Sequence, residues 1–208
     1  MAHVRNPSYY PGDLRQALLD AAKTELAEAG VGGVSLRSIA RRAGVSHAAP
    51  AHHFGDRGGL FTELARQGFL ELARALREAM EAAGPDASAV ERLRRGGLAY
   101  VDFAEREPVV FDLIFRSGLC KQDDPGLREA ADTAFGMLVD AIAAATAEGW
   151  GAGSDPDMLA LLCWSTVHGF GVLRRDGQMA RVVDDAAAPE AARAVVSTLT
   201  AALAAGPA

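Results

Sequence analysis

The chain has 208 residues, of which 50% are hydrophobic, 6% aromatic and 23% charged, with a net charge of −6. That length buries a sizeable core in one unit or two closely joined ones, and an alanine-rich composition poor in aromatics and β-branched runs predicts an all-α fold of closely packed helices. The charge is uneven: residues 1–57 hold seven Lys/Arg against five Asp/Glu, a net of +2 that leaves −8 for the remainder, so a mildly basic head suited to phosphates is joined to an acidic, soluble body.

An arm of about ten residues carrying Arg5, Tyr9 and Tyr10 comes first, read either as an unstructured tail or as an arm that reaches a groove through Arg5. Asp13–Ala29 then places Leu14, Ala17, Leu18, Ala21, Ala22 and Leu26 on one helix face, and Gly30, Gly32 and Gly33 end it. Ser35 is positioned to cap a second helix in which Leu36, Ile39, Ala40 and Ala43 recur at helical spacing, leaving Arg37, Ser38, Arg41 and Arg42 outward. Gly44 supplies the positive φ that follows such a helix, and Ser46 is the expected N-cap of a third helix ending near Phe54. Two short helices that meet across so tight a turn are the grammar of a helix-turn-helix, whose second helix enters the DNA major groove. With Ser46 as cap, Pro50 falls at the fourth helical position, His47, Ala48, Ala51 and His52 face outward, and Val45, Ala49 and Phe54 face inward. Alanine meets a thymine methyl and histidine donates to or accepts from base edges, so this outward set suits base reading.

From Arg57 to about Ala83 a long helix carries Leu60, Phe61, Leu64, Phe69, Leu72, Leu76 and Met80 and closes at Gly84-Pro85. At 1.5 Å per residue it spans about 40 Å, too long for the head alone, and so reads as a connector. Asp86 or Ser88 caps the next helix, which runs to about Arg106, and Pro108 opens another that stops at Gly118. After a linker with Lys121, Asp123 and Asp124, a helix runs from about Pro125 to Glu148, and Ser154 or Asp155 caps Pro156–Arg175. That helix is apolar on most sides, with Met158, Leu159, Leu161, Leu162, Trp164, Val167, Phe170 and Leu173, which predicts burial against its own chain and against a partner. A loop, DGQMARVVDDAAAP, leads to a last helix over Glu190–Leu203. Residues 1–57 thus form a three-helix head and 58–208 a helical body, in which the two C-terminal helices form either a four-helix homodimer interface or an intramolecular bundle.

The run VSLRSIARRAGVSHAAPAHHFGDRGGLF resembles the DNA-binding signature of the TetR/AcrR family of transcriptional repressors: the Leu36/Ile39/Ala40 core, the Ala43-Gly44-Val45-Ser46 turn, the His53-Phe54 pair and the basic Arg57 match in register. The family commonly carries a phosphate-contacting Tyr two residues before the His, where this chain has Ala51. The resemblance implies a homodimer on a palindromic double-stranded operator, phosphate contacts from Ser46, His53, Arg57 and Arg37, and a connector that converts effector binding into a change of head spacing. WSTVHGFG, Trp164–Gly171, is similar to the Trp-His-Gly helix of one branch of the family's sensor domains; Trp164 and His168 are four apart and share a face. The alternative for His168 is a hydrogen-bonded core histidine. For a small apolar or aromatic effector the candidate lining is Tyr100, Phe103, Phe111, Phe115, Met137, Trp164 and His168, each also compatible with plain core.

Other chemistry finds little support. Cys120 and Cys163 suggest reduced cytoplasmic thiols, and the adjacent His52-His53 lack metal-ligand spacing. With no CxxC, HExxH, P-loop or GxSxG, the chain is expected to hold no metal or cofactor and to have no catalytic residues. The N-terminus has no apolar h-region and no stretch approaches about 18 uninterrupted apolar residues, so neither export nor membrane insertion is expected. The runner-up reading is a helical sensor or interaction protein whose operator binding is weak or lost, motivated by Ala51 and the small basic excess.

Overall fold

The computed structural model describes residues 11–115 and 118–204; the arm with Arg5, Tyr9 and Tyr10 lies outside them. The described residues are helical, in the order α1 (Pro11–Gly33), α2 (Leu36–Arg42), α3 (Ala49–Phe54), α4 (Arg57–Glu81), α5 (Ala89–Arg106), α6 (Pro108–Ile114), α7 (Pro125–Ala147), α8 (Pro156–Arg175) and α9 (Ala188–Ala204), with two short 3-10 turns, Gln178–Arg181 and Asp185–Ala187, before α9. The regular α1 ends at Gly30, whose φ of 63° and ψ of 177° break the helix where the glycine run begins. Ser88 caps α5 and Asp155 caps α8, each accepting from backbone N–H groups of the first turn.

Two compact units form. The first gathers the described residues up to Gly68 together with Val109–Arg128; the second holds Phe69–Pro108 and Glu129 onward. The spatial division therefore differs from a linear cut at Arg57, for a reason visible at Gly68: a Cβ there would lie 2.4 Å from Val110 Cγ1 and 3.0 Å from Ile114 Cγ2, so the missing side chain is what seats α6 directly on α4.

In the first unit α1 packs on α2 and α2 on α3. Leu18, Leu19, Ala22, Ile39, Ala40, Phe54, Leu60 and Phe61 are buried. Charged clamps fasten this small core. Arg42 bonds Glu25 at 2.6 Å and also pairs with Glu28, which ties α2 to α1. Arg15 and Arg66 both reach Glu63 Oε1 at 2.7 Å, which ties α1 to α4. Burial opposes ionisation of Glu63, but the hydrogen bonds from Arg66 and Arg15 outweigh it and hold the carboxyl down at about 2.

The second unit is packed through small residues. α5 lies against α8 and α9, and Gly97 admits Val196 and Val167, either of which an added Cβ would meet at about 3.5 Å (3.4 and 3.5 Å). Ala89, Leu93, Ile142, Ala145, Trp150, Leu159, Ala160 and Cys163 form one buried cluster. Its indole is anchored, since Trp150 Nε1 donates to the Thr200 carbonyl at 2.8 Å. By length and composition α7 is apolar enough to cross a membrane, though much of that apolarity is alanine and Asp132 and Asp140 interrupt it. Its Leu127, Ala130, Ala134, Ile142 and Ala145 are buried in the fold.

Candidate nucleic-acid interface and sensor cluster

The turn between α2 and α3 is built from local chemistry. Ser35 caps α2 in a reciprocal box with Ser38, in which each side chain accepts from the other's backbone N–H, at 3.0 and 3.1 Å. Gly44 has φ 69°, a conformation that costs a side-chain-bearing residue. Beyond it the expected start of α3 needs correction. The cap position is Ala48, with no side-chain bond, and α3 begins at Ala49. Ser46 serves through its backbone instead, its carbonyl accepting from Ala49 N at 3.0 Å. Pro50 is the cause. At the fourth position its ring would press on the carbonyl four residues back, whereas within the first two positions it lacks only an N–H that no helical carbonyl would claim. The ring is also buried, an inward contact that the sequence pattern missed.

The outward set is otherwise where expected. Arg37, Ser46, His47, Ala48, Ala51, His52 and Arg57 are exposed, and His53 is half-buried. His52 and His53 are edge to face at 5.6 Å, and His53 lies 6.1 Å from the Phe54 ring, so the imidazoles fan out from a fixed base. Ala51 offers no phenol, and nothing at that position reaches toward a phosphate. Arg57 has structural work as well: its guanidinium donates to the Val34 carbonyl at 3.3 Å and lies 5.6 Å from the centre of the Phe61 ring. One neighbour was not foreseen. Lys121 Nζ pairs with Asp56 at 3.1 Å, immediately before Arg57. Its charge is plain in the linker, but no local periodicity says which helix a linker docks on.

In the second unit Tyr100, Trp164 and His168 come together. Trp164 Nε1 donates to Tyr100 Oη at 3.3 Å, and that oxygen lies 2.9 Å from His168 Nδ1, a hydrogen bond whose direction follows the imidazole tautomer. Burial keeps the phenol of Tyr100 un-ionised, raising its pKa above the usual phenol range despite the hydrogen bond from Trp164. Burial, and then the charge of Arg175, lower the basicity of His168, which favours the neutral imidazole. Phe135, not singled out from the sequence, meets the Trp164 ring at 5.7 Å while remaining 46% exposed. Phe103 is buried and Met137 half-buried in this same unit. Phe111 and Phe115 belong to the first unit, where their rings pack edge to face at 5.1 Å. Among the described residues no three His, Cys, Asp or Glu side chains gather as a metal site.

Residues 18–64 match the family described as bacterial regulatory proteins, tetR family, and residues 93–199, just over half of the chain, match the Tetracyclin repressor-like C-terminal domain. The chain belongs to the tetR family. Its helix-turn-helix lies within the residues that match the family's regulatory-protein model. A Rhodococcus sp. RHA1 protein of unknown function is 34% identical, with a TM-score of 0.82 over 96% of this chain and 100% of that one. The tetR-family regulator PfmR of Thermus thermophilus shares the fold at 21% identity, with a TM-score of 0.69 over 88% of this chain and 97% of that one. The HTH-type transcriptional repressor AcnR of Corynebacterium glutamicum is 37% identical over 68 residues, 33% of this tetR-family chain and 36% of the relative. The chain thus matches only about a third of the length of that curated relative.

Proposed function

We propose that the protein is a cytoplasmic repressor that binds a palindromic double-stranded operator as a homodimer and is released by a small apolar or aromatic effector. The observation that carries this reading is the exposed surface of α3 and of the turn before it, where His47, Ala48, Ala51 and His52 stand free of the head's own packing. His47, Ala48, Ala51 and His52 read base edges, while Ser46, His53, Arg57 and Arg37 hold phosphates. The repressor sense is supported by the likeness to AcnR over 68 residues. The function is carried by binding, with no turnover and no cofactor.

Dimerisation through α8 and α9 is supported by what those helices leave uncovered: Met158 is 57%, Leu161 50%, Leu162 43% and Val195 38% exposed. Burying such a face in a two-fold contact removes apolar area from water twice over. The effector reading is supported by the Tyr100/Trp164/His168 cluster with Phe135 at its edge, which pairs polar groups with aromatic walls. WSTVHGFG carries the proposed kinship with the Trp-His-Gly branch.

Selection of bound sequences from random duplex DNA tests the operator. The expected result is a palindrome with half-sites about one helical turn, or a multiple, apart. Binding that is salt-sensitive but shows no preferred sequence sinks the reading and favours a sensor with lost operator recognition, to which Ala51 already points. Sedimentation at micromolar concentration tests the interface, and a monomer counts against it. For the effector, Trp150→Phe leaves Trp164 as the one indole for titration with candidate compounds. A compound that releases DNA yet binds unchanged after both Trp164→Phe and His168→Ala puts the site elsewhere. Effector and operator must weaken each other by the same factor, about 5–150-fold for ordinary coupling.

A further inference from the structure

The loop between α6 and α7 is docked on the first turns of α4 by three separate contacts. Lys121 N donates to Thr62 Oγ1 at 2.8 Å, and that buried hydroxyl in turn donates to the Gly58 carbonyl at 2.7 Å. The Lys121 stem lies over Gly58 and Gly59, where an added Cβ would meet Lys121 Cε at 3.6 Å and Nζ at 3.4 Å respectively. The ammonium then reaches Asp56 Oδ2 at 3.1 Å, while Asp56 Oδ1 accepts from Gly59 N at 2.7 Å as the cap of α4.

Asp56 sits between the His52-His53 pair and Arg57, in the middle of residues assigned to DNA. An isolated carboxylate at that point repels phosphate. We propose that Lys121 is a positioning residue for DNA binding that acts through Asp56: its ammonium neutralises the carboxylate beside Arg57, so the α6–α7 loop sets how strongly the head attracts the phosphate backbone. The lysine does not itself touch phosphate. The inference rests on DNA binding by the head but not on any operator or effector. The glycine at position 59 has its own reason, since an added Cβ there would meet the Phe54 carbonyl oxygen at 2.1 Å, while the lysine stem and ammonium lie at ordinary contact distance from both glycines.

The test uses the full-length protein, a duplex of mixed sequence and the duplex recovered by selection, with affinity measured across a salt series for wild type, Lys121→Ala, Lys121→Arg, Asp56→Asn and Lys121→Ala/Asp56→Asn. Asparagine keeps the cap of α4, and arginine keeps the charge. Lys121→Ala is expected to weaken both duplexes alike, by roughly 5-fold near 0.1 M salt and less at high salt, the size of one uncompensated exposed charge a few ångströms away. Lys121→Arg is expected to retain affinity, and in the Asp56→Asn background the alanine change is expected to cost nothing. An equal loss in both backgrounds, with the salt slope lowered by about 0.9, would instead mean direct phosphate contact and overturn the proposal. So would an unchanged affinity for Lys121→Ala. The Gly59 N–H first, and then Lys121, hold the Asp56 carboxyl below its ordinary range, so a carbon-13 titration tests the pair without DNA: it should move part of the way up in Lys121→Ala, and no movement overturns the pairing. A wild type that binds neither duplex overturns both this inference and the operator reading, and the titration alone then tells whether the pair exists.

Discussion

The two units of this molecule are stabilised by different means. The head is a small core clamped by charge: Arg42 holds Glu25 and Glu28, Arg15 and Arg66 share Glu63, and Arg15 lies 5.2 Å over the Phe54 ring. The second unit depends on close approach of small residues around one anchored indole, and on α8 and α9 it leaves large apolar side chains uncovered. A unit with a polar, basic surface gains rigidity from bonds at its rim, whereas the second unit packs through small residues and keeps apolar surface uncovered. Both indoles, Trp150 and Trp164, lie in the second unit. Tryptophan emission therefore reads that unit alone, while helix dichroism reads both.

The largest expected separation comes from Trp150→Ala. It removes a 3% exposed side chain and the bond to the Thr200 carbonyl, at a cost of about 3–5 kcal/mol. Urea unfolding should show Trp164 emission lost early while part of the helix dichroism persists. A single coincident transition would mean that the units unfold as one. The converse change is Glu63→Gln, expected to cost about 2 kcal/mol in the head, because two guanidinium groups lose the charge that fixes them. The same residue gives a pH window. With the folded carboxyl held at about 2 against about 4.3 unfolded, its contribution is complete above the unfolded value and is lost as pH falls toward the folded one. Between pH 5 and 2.5 hydrogen exchange in α1 should quicken in wild type more than in Glu63→Gln; equal responses would break the assignment.

Gly68→Ala tests the seat of α6. The new Cβ meets Val110 at 2.4 Å, and overpacking of this kind costs about 1–3 kcal/mol. It should loosen exchange protection in α4 and α6 before any change in Trp164 emission. The smallest effect is expected from Ser35→Ala, about 1 kcal/mol, from loss of the reciprocal cap on α2. Melting of the head should shift by a few degrees with operator preference intact. Altered base preference would mean that the cap also orients α3.

How much was legible depended on how local the cause was. The cap at Ser35, the left-handed Gly44 and the alternation of Ile39, Ala40 and Phe54 all act within a few residues, so residue spacing revealed both the helix-turn-helix and its outward residues. Pro50 shows the limit. Its type was visible, but that it would push the start of α3 to Ala49 required weighing a ring clash against a serine cap, and the clash won. In the Tyr100/Trp164/His168 cluster the shared face of Trp164 and His168 followed from helical spacing. The phenol that joins them, Tyr100, stands 64 residues before Trp164 and 68 before His168, and no periodicity records such a distance.

The sequence by itself determined the helical class, the cap at Ser35, the glycine breaks, the family signature and the basic character of the head, because each depends on backbone conformations and side-chain faces repeated along one helix or one turn. Only the tertiary structure decided that residues 109–128 belong with the head, that Lys121 rests on Gly58-Gly59 and meets Asp56, that Arg57 is already engaged with Val34 and Phe61, and that Phe111 and Phe115 pack in a different unit from Tyr100. Those facts depend on which helix a linker lands on. That choice is made by whole-surface fit, such as a missing side chain at Gly68 or a buried hydroxyl at Thr62 awaiting a donor, and a bare glycine or threonine in the sequence does not name its partner.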